Sequence, residues 1–161
     1  MNQPIVITNE NIVDLQNICM HHLTNTHRLI ESLRDDPLLV QHQFFGNNLP
    51  IHKAIEYKCE KETIQRSLNA WPESINERND NGMLPLHMAC KNHDNYNVIN
   101  IIFKANRNNA EETYNETQLP LHDTAGRDPP IHLDIVWLLM SRSPKIFLRE
   151  QYLEEIYCIL H

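Results

Sequence analysis

The sequence predicts an all-α fold, a solenoid of repeated helical pairs, and three observations lead to it. The tetrapeptides Leu49-Pro50-Ile51-His52, Leu84-Pro85-Leu86-His87 and Leu119-Pro120-Leu121-His122 recur at an interval of 35 residues, and self-similarity at such a spacing marks copies of one supersecondary unit. Proline takes the second place of each motif, where its fixed φ and missing N–H suit the first residue of a helix. A further run of helical length follows each motif, at 63–68, 98–103 and 131–140.

Taken in order, residues 14–48 read as a degenerate first unit with helices near 11–23 and 26–33. Its opening motif is missing, but Leu33 and Pro37 lie one period ahead of Leu68 and Pro72. Terminal repeats diverge because one face meets water instead of a neighbour. In unit 49–83 a short helix runs from Pro50 to the polar stretch at 58–61, with Ala54 small enough for close packing. The second helix stops before Trp71-Pro72, since a residue preceding proline is driven out of the helical region. Asn79-Asp80-Asn81-Gly82 then carries the turn chemistry of a hairpin.

Unit 84–118 repeats this plan with Ala89-Cys90 as its small pair and the apolar run Val98-Ile99-Asn100-Ile101-Ile102-Phe103. Unit 119–153 places Thr124-Ala125 behind its motif and breaks at 126–130. Its run Ile135-Val136-Trp137-Leu138-Leu139-Met140 is apolar nearly all round, which predicts a helix buried on two sides. Ser143-Pro144 ends it. A helix over 151–161, with Leu153, Ile156, Tyr157 and Leu160 on one face, leads into a partial unit, 154–161. The whole chain, 1–161, thus reads as one domain of about four repeats and a C-terminal fragment of another.

These residues resemble the ankyrin repeat, whose unit opens Thr-Pro-Leu-His, continues with a small-residue pair and a second apolar helix, and closes on a hairpin with Asp and Gly. The best copy here is Asn81-Gly82-Met83-Leu84-Pro85-Leu86-His87-Met88-Ala89-Cys90. The chain departs from the family in three ways. Its period is 35 where the family's is about 33. Leu49, Leu84 and Leu119 replace the threonine, removing the hydroxyl that would cap the helix and meet the histidine. The turn glycine survives as Gly82, becomes Asn47 one period earlier and Thr117 one period later, so the hairpin within 106–118 is expected to be irregular.

Composition narrows the function. A chain of 161 residues with 41 % hydrophobic and 22 % charged side chains fits one ordinary domain and excludes a large multidomain enzyme. A net charge of −7 carries no broad basic footprint, which argues against general binding of nucleic acid or of an anionic membrane. Three glycines are too few for a glycine-rich phosphate cradle. No apolar run approaches the roughly 20 residues of a bilayer span. The N-terminal Met1-Asn2-Gln3-Pro4 has no signal-peptide pattern, so a cytoplasmic or nuclear location is expected, with Cys19, Cys59, Cys90 and Cys158 as thiols. On that expectation the glycosylation sequon Asn115-Glu116-Thr117 stays silent.

Two chemistries compete with a binding role. His87-x-x-Cys90 with His93, or His21-His22 with His27, offers nitrogen and sulfur donors for zinc. A Cys90 thiolate beside His87 or His93 would make a small thiol enzyme. No Cys-x-x-Cys supports the first, and nothing nearby stabilises a thiolate for the second. The resemblance implies instead that His52, His87 and His122 are structural hydrogen-bonders between helix start and neighbouring loop, and Cys90 reads as a small buried group. No catalytic residue, metal or cofactor is therefore expected.

The resemblance implies a non-catalytic adaptor or scaffold that binds a protein partner through a concave face of hairpin tips and first helices. It places Lys53, Glu56, Tyr57, Met88, Lys91, Asn92, Asp123 and Arg127 outward on the helices, with Met83 and Gln118 at hairpin ends. Tyr57, Met88 and Arg127 are side-chain types that tend to dominate interfaces. The acidic pairs Glu111-Glu112 and Glu154-Glu155 read as solvated faces. At the C-terminal end, apolar side chains of helix 131–140 need a cover, supplied by residues 151–160, by a homodimer, by a partner protein or by a longer array.

Overall fold

The computed structural model describes residues 48–92, 95–125 and 133–141. Each Leu-Pro-x-His motif begins a helix with proline as its first residue, and each short helix is followed by a second one. The pairs are α1 (Pro50–Glu56) with α2 (Lys61–Ala70), α3 (Pro85–Asn92) with α4 (Tyr96–Ala105), and α5 (Pro120–Ala125) with α6 (Leu133–Met140). Lys58, at φ 54, turns the chain out of α1. The expected first unit at 14–48, the terminator Ser143-Pro144 and the partial unit at 154–161 lie outside the described residues.

The first helices α1, α3 and α5 pack side by side, as do the second helices α2, α4 and α6, so two layers enclose one core. From the first layer Ile51, Ile55, Leu86, Ala89 and Leu121 enter it, and from the second Ile64, Ile99, Ile102, Phe103, Ile135 and Leu139. Ala54 and Ala89 are fully buried, as the close approach of first helices requires. Truncating one of the large members costs about 2–5 kcal/mol, because close-packed neighbours collapse only partly into the hole.

Helix starts are held by histidine. Lacking the threonine hydroxyl, the Leu49 backbone N–H donates to His52 Nδ1 at 2.9 Å, and the same bond joins Leu84 to His87 at 3.3 Å and Leu119 to His122 at 2.9 Å. The tie expected through the hydroxyl is made by the main chain instead. With Nδ1 accepting, the proton of the neutral ring sits on Nε2. There it donates to a carbonyl 25 residues ahead, Glu77 for His52 at 3.1 Å and Glu112 for His87 at 3.0 Å. The helix starts at Pro50 and Pro85 are thereby fastened to the loops that lead into the next unit.

Those loops contain structure that the residue pattern did not announce. A 3₁₀ turn at Pro72–Asn76 follows α2 and another at Arg107–Ala110 follows α4. They are stitched together by asparagine: Asn109 Nδ2 donates to the Ile75 carbonyl at 2.8 Å, and Asn106 Nδ2 to Asn76 Oδ1 at 2.7 Å. A buried carbonyl left without a donor costs about 1–3 kcal/mol, so Asn109 is a packing requirement and not a solvated loop residue.

Two expectations change in the third unit. The buried pairs Thr63/Ile64 and Ser67/Leu68 recur 35 residues on as Val98/Ile99 and Ile102/Phe103, but the next set is Ile135/Val136 and Leu139/Met140. The second helix has slipped by two residues. With that slip Leu133 and Trp137 turn outward, 56 % and 63 % exposed, so α6 is not the doubly buried helix its composition suggested. Uniform apolarity concealed which side faces the core.

Candidate interaction surface

Beside the first helices stand the two described hairpins, which set the height of the neighbouring surface. At 79–83 the Asn79 N–H donates to the Met83 carbonyl at 3.1 Å, and Asn79 Oδ1 accepts from the N–H groups of Asn81 and Met83, each at 3.0 Å. Gly82 supplies the left-handed residue, φ +71. At 114–118, Tyr114 and Gln118 exchange both backbone bonds, at 2.9 and 3.0 Å. Here the left-handed residues are Asn115 (φ 47) and Glu116 (φ 68), not Thr117. The turn closes after all, by moving the strained positions forward.

Arg78 locks these hairpins to each other. Its Nη1 donates to the Gly82 carbonyl at 2.7 Å and to the Thr113 carbonyl at 3.0 Å, while Nη2 pairs with Glu112 Oε2 at 3.0 Å. Glu112 is thus a partner in a clamp and not simply a solvated charge.

Each hairpin also reaches down to the helix nine residues ahead. Asn79 Nδ2 donates to Met88 Sδ at 3.4 Å; one period later Tyr114 Oη donates to Asp123 Oδ1 at 2.7 Å. The Tyr114 ring stands edge-on to His87, centroids 4.9 Å apart at 80°, an arrangement its quadrupole favours. Burial first, then the hydrogen bond to Asp123, pushes the Tyr114 hydroxyl up to about 12. Burial likewise raises Asp123 to about 6, against the opposing pull of the Tyr114 bond and the Lys91 charge. Its second oxygen, Oδ2, is enclosed without a hydrogen-bond partner.

The expected contact residues now sort themselves. Glu56, Lys91 and Gln118 are exposed, and Lys53, Tyr57, Asn92 and Asp123 are half-buried. Lys53 forms an ion pair with Glu56 at 2.7 Å and lies 5.8 Å from the centre of the Tyr57 ring, which makes one compact polar and aromatic group at the end of α1. Met83 and Met88 are corrections. Both are 5 % exposed and belong to the core rather than to a contact surface, Met83 as the inner end of the 79–83 hairpin and Met88 beneath the Asn79 amide. Arg127 lies outside the described residues.

The alternative chemistries fare as follows. His87 uses both ring nitrogens within the fold, and burial holds it and His52 down to about 4, so each is a neutral structural group at neutral pH. Cys90, on α3, is buried and Cys59 is half-buried, neither in a disulfide. Cys19, Cys158, His21, His22, His27 and His93 lie outside the described residues. Among the described residues no three His, Cys, Asp or Glu side chains are grouped to hold a metal. Among them, too, no helix is long and apolar enough to cross a membrane.

Residues 51–102 match the family model for ankyrin repeats in many copies, a span that opens within α1 and closes within α4. No curated protein matches the chain.

Proposed function

We propose that this chain, an ankyrin-repeat protein by the match over residues 51–102 and by its repeated buried histidine motif, is a non-catalytic module that binds a protein partner through its first helices and hairpin edges. Ankyrin repeats generally serve as protein-interaction modules. The observation that carries the reading here is a division of labour between positions one period apart. Leu49/Leu84, Pro50/Pro85 and His52/His87 are the same residues and are buried. Glu56/Lys91 and Tyr57/Asn92 differ completely in charge and shape, and stand at the surface.

The contact residues we assign are Glu56, Tyr57, Lys91, Asn92 and Gln118, with Lys53 and Asp123 behind them. Met83 and Met88 support this face from beneath. Tyr57 is the anchor: an aromatic ring held by a neighbouring cation loses little freedom when a partner covers it. The identity of the partner is set by these variable side chains, since a solenoid's framework is shared by all its relatives.

Chemical cross-linking of a captured partner, followed by mass spectrometry, tests the assignment. Cross-links are expected at Lys53 and Lys91 and not at Lys61 or Lys104, and Tyr57→Ala with Lys91→Glu is expected to abolish capture. Capture unchanged by that pair of substitutions refutes the surface.

A further inference from the structure

The opposite layer carries a second binding feature. Between α2 and α4, two adjoining hollows of about 510 and 340 Å³ share Gln65 and Ile101 and so form one furrow on the outside of the second helices. The larger hollow has an apolar floor of Leu68 and Pro72 from the α2 side and Ile101 and Ala105 from α4, edged by Gln65 and Asn69, and Ile101 carries that floor into the smaller, polar-walled hollow. Cations stand along the furrow's rim. Lys61 is partly offset by Glu62, 3.7 Å away, but Arg66 and Lys104 make no ion pair among the described residues. In a chain of net charge −7, an apolar trough flanked by two uncommitted cations is a local reversal of sign.

We propose that this furrow is a docking site for an acidic amphipathic helix of a partner protein. The shape fits one turn-after-turn row of apolar side chains, because a trough between two packed helices accepts anchors at i, i+4 and i+7 of a third. Charge selects the rest. Arg66 and Lys104 sit on different helices, one on each side of the trough, so a docked helix with carboxylates on both flanks of its apolar stripe meets both. A basic or neutral helix satisfies neither. The site is separate from the face assigned above, which belongs to the other layer, so the two are occupied independently.

Fluorescence anisotropy with a labelled synthetic helix tests this on the full chain. The probe has leucines at i, i+4 and i+7 on a glutamate-rich background, and its counterpart replaces every glutamate by lysine. The acidic probe is expected to bind, weakening as salt rises, and the basic one to bind at least about tenfold less tightly. Arg66→Glu with Lys104→Glu should weaken the acidic probe about tenfold, with the circular dichroism spectrum unchanged. Ile101→Gln should weaken it through the floor. Tyr57→Ala with Lys91→Glu should leave it unchanged, which separates this site from the other face. Equal binding of both probes, or no binding of the acidic one, overturns the proposal. Self-association of the chain that Arg66→Glu with Lys104→Glu abolishes also overturns it, by assigning the furrow to a second copy.

Discussion

Tyr114 and Asp123 form a 2.7 Å hydrogen bond at the same two positions that, one repeat earlier, hold Asn79 and Met88. The hairpin-to-helix contact is kept while its chemistry changes from amide–thioether to phenol–carboxylate. Tyr114→Phe removes the donor and leaves both oxygens of a half-buried carboxylate without one, so it is expected to cost about 1–3 kcal/mol in urea denaturation. Adding Asp123→Met, which restores the side chain found in the preceding unit, should recover a good part of that loss. A fully additive double variant would show that the two residues do not interact.

Acidification should destabilise the fold in a defined window. His52 and His87 are held at about 4 against an ordinary 6.5, with burial the first cause. Between those values the unfolded chain binds more protons than the folded one, so the stabilisation is complete above pH 6.5 and drains away as pH falls toward 4. Each histidine contributes about 2–4 kcal/mol to this dependence. Asp123 acts in the opposite direction: raised to about 6 from 3.8, it favours the folded state as pH falls through that interval. Screening at its half-exposed position makes this the smaller effect. Melting temperature should therefore fall from pH 7 to 4, and His87→Ala, already destabilised at neutral pH, should show a shallower slope.

The hairpins give a pair of opposite predictions. Gly82 at φ +71 has room for a Cβ, which would meet Tyr114 Cβ in ordinary contact at 3.9 Å. Gly82→Ala is thus penalised by backbone conformation alone, about 1 kcal/mol. Glu116 adopts φ 68 with a side chain in place, so Glu116→Gly should stabilise by about 0.5–1 kcal/mol. Chemical denaturation of both variants reads the two signs.

Arg78→Ala should cost about 1–2 kcal/mol, more than a surface ion pair does, because two of its three bonds go to carbonyls. The loss is expected to persist in high salt, where an isolated ion pair would have vanished.

The places where sequence and structure diverge share a cause. Helix starts at Pro50, Pro85 and Pro120, the stop before Pro72 and the turn at Gly82 were legible, because each depends on the local conformational limits of one residue type. Met83 and Met88 were misread as surface because a hairpin end can turn inward and a hairpin can cover a helix, and the Asn79 amide that seals Met88 announces a turn without announcing a lid. The Leu49 N–H to His52 bond was missed because a search for a capping hydroxyl overlooks a main-chain donor that every residue but proline carries. The two-residue slip in α6 was hidden by uniform apolarity: when nearly every side chain is greasy, periodicity no longer says which way is in. Leu133 and Trp137 become conspicuous only once their exposure is seen.

The imidazoles of His52 and His87 grip main-chain oxygens, not side chains, of the loops ahead of them. Nothing about that grip depends on which amino acids the loop presents to the outside. Selection can therefore rewrite the outward residues of one unit at a time while its mooring to the neighbour stays intact, and a scaffold so fastened can acquire a new binding specificity without first relearning how to fold.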